Sequence, residues 1–186
     1  MAITPDRMTL DQFLALPEEE PPLELFGGEV TRKVSPKMFH SAIQIYLGPL
    51  FNAFCRPKRL GRAFSELRTS YEGISTVPDV VYFVQARIPR SADGKRLAEA
   101  MIPPYIAVEI VSPDQSVTDL LIRCLWYVAN GVRISLLIDP QRLSVILFRP
   151  GSEPIALRDT GTLDLGDVIP GFTIDVADLF AELDAD

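Results

Sequence analysis

The sequence predicts an α/β domain (α+β under some classifications) built on a mixed β-sheet with helices packed against it. Three observations carry this reading. The apolar segments follow one another as helix, strands, helix, strands. Residues 105–111 (YIAVEIV) are nearly continuously apolar, as a central strand buried on both faces must be. The 16 prolines sit almost all at element edges, which suits many short elements rather than a helical bundle.

The first helix opens at Thr9, which can cap it; Asp11 and Gln12 fall in its first turn, and Pro17 follows Phe13, Leu14 and Leu16. A connector rich in Glu and Pro leads to Pro22. Residues 23–32 (LELFGGEVTR) read as a hairpin, because Gly27–Gly28 permits the positive φ of a tight turn. Residues 39–54 form the first long helix, with Ile43, Leu47, Leu50, Phe51 and Phe54 at 3–4 spacing and an expected kink at Gly48–Pro49. Beyond a basic loop, 62–71 and 77–84 read as strands, and 85–104 as a charged loop closed by Pro103–Pro104. Residues 116–130 form the second helix, with Val117, Leu120, Leu121, Cys124, Leu125 and Val128 on its apolar stripe and Asn130–Gly131 at its end. Strands at 134–139 and 143–149 flank the turn Asp139–Pro140–Gln141. Short strands and a last helical turn at 176–183 complete the chain.

With 47% hydrophobic and 23% charged residues, the 186-residue chain suits one globular domain and excludes disorder as its general state. No apolar run reaches the roughly 18–20 residues a membrane helix needs, and the first residues carry no secretory pattern. Cys55 and Cys124 are too few for a disulfide framework or a zinc site. A cytoplasmic location is expected, with no membrane partner. The net charge of −7 is unevenly spread: residues 152–186 hold nine acids and one base, which leaves residues 1–151 at +1. Within that part, bases cluster at 32–37, 56–68 and 87–96, and such clusters suit either a phosphate-facing surface or ordinary solvated loops.

Two acids interrupt segments that otherwise demand apolar residues. Asp79 follows Pro78 at a strand start, and Glu109 lies near the end of YIAVEIV. A carboxylate buried in a strand is costly unless paired or bound to a cation. If the two strands are neighbours, both carboxylates can converge on one hard cation such as Mg²⁺. The basic clusters are then expected around the mouth of that site. Structural ion pairs or N-caps are the other reading of these two acids.

The motifs around them are more specific. PDVVYF, PPYIAVEIVSP, D-x₃-R-x₃-Y-x₃-G-V and LLIDP closely resemble the Uma-type restriction endonuclease family, a branch of the PD-(D/E)xK nuclease superfamily. The likeness begins at MTLDQFLALPEE, passes through LELFGGEV and SPKMFH, and ends at DVIPGFTIDVADLF, covering the chain from Met8. It implies a single restriction-endonuclease-like domain over 1–186. Its parts are an N-terminal helix and hairpin at about 8–34, a core of helix, mixed four-stranded sheet and helix at about 39–150, and an acidic C-terminal extension at 151–186.

By the same resemblance, Asp79 and Glu109 hold Mg²⁺ or Mn²⁺ at the strand ends. The lysine of the motif belongs two residues beyond Glu109, where this chain has Val111. The family supplies it instead from the following helix, four residues after an Asp; here that Asp is Asp119 and the lysine position holds Arg123. Asp119, Arg123 and Tyr127 therefore share one helix face. Arginine stays charged where lysine can shed a proton, but it can still stabilise charge building on phosphate. The further candidates are Glu24, which matches a family acid, His40, the only histidine, and Asp119 and Tyr127 beside Arg123. The expected activity is metal-dependent hydrolysis of DNA phosphodiester bonds by a homodimer, with Asp79, Glu109 and Arg123 catalytic and the rate weakened because arginine replaces the usual lysine. The alternatives are a catalytically inactive nuclease fold that binds nucleic acid or a protein, and a plain dimerisation module.

Overall fold

The computed structural model describes residues 7–183. Thr9 caps α1 (Leu10–Leu14) through a reciprocal pair with Gln12. The hairpin forms as β1 (Leu23–Phe26) and β2 (Glu29–Arg32), and Gly27 and Gly28 both take positive φ in its turn. Helix α2 (Met38–Cys55) runs unbroken through Pro49. The carbonyl deprived of its partner there belongs to Ile45, whose side chain is 75% exposed, so water can reach that side of the helix.

The segment 62–71 is two strands, not one. Strand β3 (Gly61–Ser65) ends where Glu66 takes φ +51°, and β4 (Thr69–Tyr71) joins a different sheet. Strand β5 (Ile74–Thr76) pairs with β4 and, at Leu25↔Ser75, with β1. The result is a small sheet ordered β2-β1-β5-β4.

The main sheet adds β6 (Val80–Val84), β7 (Ile106–Ile110), β8 (Ile134–Asp139), β9 (Ser144–Phe148) and β10 (Ile155–Arg158) in the order β10-β9-β8-β7-β6-β3. The implied four-stranded core is thus extended to six strands. Only β7 and β8 are parallel, and α3 (Val117–Ala129) makes the crossover between them. All five residues of β7 are buried, as its apolar run predicts.

The two sheet faces are covered differently. Ile43, Leu47 and Phe51 of α2 pack on Val80, Val108 and Leu136, together with Leu163, Ile169 and Phe172 of the C-terminal segment. That segment forms β11 (Thr162–Asp164), β12 (Thr173–Asp175) and α4 (Val176–Ala181). On the other face, Leu120, Cys124 and Val128 of α3 meet Val111, Leu137 and Phe148. Cys124 is fully buried there, and burial raises its thiol well above the ordinary range. Among the described residues, no helix is long and apolar enough to cross a membrane.

Candidate active site

Asp79 stands one residue before β6, and its N–H donates to the carbonyl of Val108 at 3.0 Å. The register Val80↔Val108 and Val81↔Ala107 sets Asp79 opposite Glu109 on the face that α3 covers. Both carboxylates are 3% exposed. Asp79 Oδ2 accepts the Ile110 N–H at 2.7 Å and lies 3.0 Å from His40 Nε2, which reaches in from the first turn of α2. His40 Nδ1 is buried and has no hydrogen-bond partner among the described residues. Gln44, one turn further along α2, donates its side-chain amide to the Asp79 carbonyl at 3.0 Å.

Asp79 Oδ1 accepts from the Lys33 ammonium at 2.7 Å. Lys33 follows β2 and also donates to the carbonyl of Val77. Its side chain is only 10% exposed. Burial would lower its pKa, but Asp79, Glu109 and Glu24 outweigh that and hold it above the ordinary lysine value. Burial likewise pushes Asp79 upward, and His40 and Lys33 more than reverse it, so this carboxyl sits below the usual range.

Glu109 has a different environment. Its Oε1 accepts the Tyr127 hydroxyl at 2.8 Å and lies 3.7 Å from Arg123 Nη1. Tyr127 is held in turn by Thr76 Oγ1 at 3.0 Å. Burial raises the Glu109 carboxyl to about 7; Arg123 opposes the shift and Asp79 adds to it. The Glu109 charge, together with Tyr127 and Glu24, raises the Arg123 pKa despite burial, so the guanidinium is permanently charged. Glu24 of β1 completes the cluster, with Oε1 accepting the Val77 N–H at 2.7 Å and Oε2 accepting Arg123 Nη1 at 3.0 Å.

Asp79, Glu109, Arg123, Glu24, His40 and Tyr127 therefore meet in one place. Asp119 does not join them. It is exposed in the first turn of α3, where its N–H binds Ser116 Oγ, and the carboxylate paired with Arg123 is Glu24. Asp119 only borders the opening between α3 and β1, a cavity of about 200 Å³ that Glu24 and Arg123 also line. Sequence reasoning misses Lys33, Thr76 and Gln44. Lys33 supplies the buried ammonium absent from α3, and it enters from the opposite side of the cluster.

The expectation that all the basic segments ring this site is corrected. Lys33 lies inside it, and Lys37, 3.5 Å from Asp114, stands beside it. Arg68 is turned to the small sheet, donating to the Leu23 carbonyl and Ser75 Oγ at 3.0 Å each. The bases at 56–62 belong to the Gly61↔Val84 end of the β3–β6 pair, whereas Asp79 adjoins the Ser65↔Val80 end.

The donor set suits a hard divalent cation. Three buried acids meet here, and among the described residues the polar contacts of Glu109 run through Oε1. Mg²⁺ commonly takes one or two carboxylates and completes its shell with water and phosphate oxygens. Among the described residues, no three His, Cys, Asp or Glu side chains form a ready-made cage. Asp79 Oδ1 already carries the Lys33 ammonium, so an ion using that oxygen competes with Lys33.

The model of the Uma2 family, described as "Putative restriction endonuclease", matches residues 10–177. Among solved structures, the chain is similar to a putative nuclease of DUF820 from Anabaena variabilis. The two share 36% identity and superpose with a TM-score of 0.90, over 95% of this chain and 99% of that one. No curated protein matches. The shared fold, the match over nearly the whole chain and the paired acids on adjoining strands lead to one assignment: this chain belongs to the Uma2 family of restriction-endonuclease-like proteins.

Proposed function

We propose that the chain is a divalent-metal-dependent endonuclease acting on DNA, with Asp79 and Glu109 holding Mg²⁺ or Mn²⁺. The carrying observation is the meeting of three buried acids, Asp79, Glu109 and Glu24, in one cluster, with Asp79 and Glu109 opposite each other at adjoining strands. Hard divalent cations take oxygen ligands of this kind, and restriction-endonuclease-like families generally use divalent metals. The ion, when bound, would polarise the phosphodiester and activate water.

The chain's own residues do the rest. The Ile110 N–H and His40 fix Asp79, leaving it ionised. Tyr127 holds Glu109 in one rotamer. Lys33 and Arg123 approach from the hairpin and helix sides and supply fixed positive charge for a phosphate whose negative charge grows. In this reading Lys33 takes over the lysine's place, and Arg123, clamped by Glu24, positions the Glu109 side of the site.

The test is a plasmid-nicking assay over Mg²⁺ and Mn²⁺, paired with thermal unfolding in the same buffers. Metal-dependent nicking lost in Asp79→Asn and Glu109→Gln is expected, as is metal stabilisation of the native chain that shrinks in both variants. Nicking that survives both substitutions would refute the assignment.

A further inference from the structure

We propose that a cleft lined by Arg56, Arg59, Arg62 and Arg96 binds backbone phosphates of the nucleic-acid strand whose scissile phosphate lies at the Asp79–Glu109 site. The proposal rests on the nuclease reading above. The cleft has a volume of about 350 Å³ and is also lined by Gly61, Gln85 and Ile88. It lies at the edge strand β3, at the sheet end remote from the acids.

Charge is the first argument. Four arginines border one cleft in a chain of net charge −7, and among the described residues none of them pairs with a carboxylate. Unpaired like charges held together repel, so the arrangement calls for an anion from outside. Arg62 adds a second argument: its guanidinium lies over the Phe64 ring, yet its Nε is buried without a hydrogen-bond partner among the described residues. The planar guanidinium fork matches phosphate oxygens in pairs.

The backbone holds these groups in place. The Leu60 N–H binds the Cys55 carbonyl at 3.1 Å, and the Gln85 N–H binds the Leu60 carbonyl at 2.9 Å. The end of α2 is thereby tied to the end of β6. The bridge Arg90↔Arg96 folds the 85–104 loop on itself. Along β6, Asp79 and Gln85 are six residues apart, or about 20 Å at strand rise. At about 3.4 Å of axis per nucleotide that is roughly six nucleotides. A strand must therefore reach about six nucleotides past the scissile position to meet the arginines.

The experiment is fluorescence anisotropy with labelled 4- and 16-nucleotide DNA in EDTA, at several salt concentrations, with inorganic phosphate as competitor. The proteins are the wild type, Arg59→Ala/Arg96→Ala, and Arg158→Ala on the opposite sheet edge as control; urea unfolding checks that each is folded. The double variant should bind the 16-mer about tenfold or more weakly, with a log–log salt slope smaller by roughly 1.4–1.8. The 4-mer, too short to span cleft and acids, should bind the wild type more weakly than the 16-mer, and Arg158→Ala should bind both as the wild type does. Equal 16-mer binding by wild type and double variant would overturn the cleft while leaving the nuclease reading intact. Failure of the wild type to bind the 16-mer would likewise overturn the cleft, whereas the nuclease reading falls only with the nicking assay above. Displacement of the 16-mer by micromolar phosphate would make the cleft a small-anion site and overturn its assignment to a strand.

Discussion

Replacing Lys33 by Met keeps most of the stem's packing and deletes one charge from beneath the hairpin. Asp79 then loses the ammonium at 2.7 Å while remaining 3% exposed. Breaking a buried ion pair by removing one partner costs about 3–5 kcal/mol. The lower end, about 3 kcal/mol, is expected here, because Asp79 Oδ2 keeps the Ile110 N–H and His40. With a urea m-value of about 2 kcal/mol per M, the unfolding midpoint should fall by about 1.5 M. The single tryptophan, Trp126, packed against Phe26 and Tyr71, reports the transition by fluorescence. Asp79→Asn in the Lys33→Met background should recover much of the loss, since the unpaired charge is gone. Saturating Mg²⁺ or Mn²⁺ should stabilise Lys33→Met more than wild type, by up to about 2.7 kcal/mol at a hundredfold excess over Kd, because the ion no longer competes with the ammonium. A loss below about 1 kcal/mol would refute the reasoning that Lys33 neutralises Asp79. So would strict additivity in the double variant.

Three further outcomes follow from the same geometry. Glu109 has a native pKa of about 7 against 4.5 for the free group, so the native state keeps a proton that the unfolded chain releases. Its contribution is fully present below about pH 4.5 and fades as pH rises through about 7, by roughly 3 kcal/mol. Glu109→Gln should flatten that part of a urea-midpoint-versus-pH curve, and an unchanged slope would contradict the assignment. Tyr127→Phe leaves Glu109 Oε1 without its 2.8 Å donor; urea unfolding should show a loss of about 1–3 kcal/mol, and the falling limb of that curve should move to higher pH. Gly61→Ala drives a Cβ to 2.3 Å from the Phe83 carbonyl and 2.4 Å from the Tyr82 hydroxyl; thermal unfolding should show a loss of about 1–3 kcal/mol.

The two acids are legible in the sequence because each breaks a rule. A carboxylate in VPDVVYFV or YIAVEIV has no apolar explanation, so the residue strings alone single out Asp79 and Glu109. Helix α3 is legible to within a residue at each end, since Ser116 and Asn130 punctuate it. Lys33 is not, because nothing in RKVSPK separates a buried ammonium from a solvated one. What buries it is the pairing of β1 with β5, a contact between residues 50 apart that no local pattern encodes. The same contact hides the small sheet, whose strands β4 and β5 are only three residues each. Asp119 misleads for the converse reason: helical spacing aligns it with Arg123, but the first turn of α3 lies beyond the cover of β1.

The hairpin side of the fold donates Glu24 and Lys33 to a cluster whose other members come from the main sheet and its helices. Until it docks, Asp79 and Glu109 lie together without their ammonium, and Arg123 lacks the carboxylate that holds it. Docking of the hairpin and completion of the cluster are therefore one event. A chain that is folded everywhere except at this hairpin is a chain with an incomplete cluster. Should the protein cut DNA, this dependence on the hairpin withholds the blade until the handle is fitted. A nascent or damaged chain would stay harmless to the DNA around it.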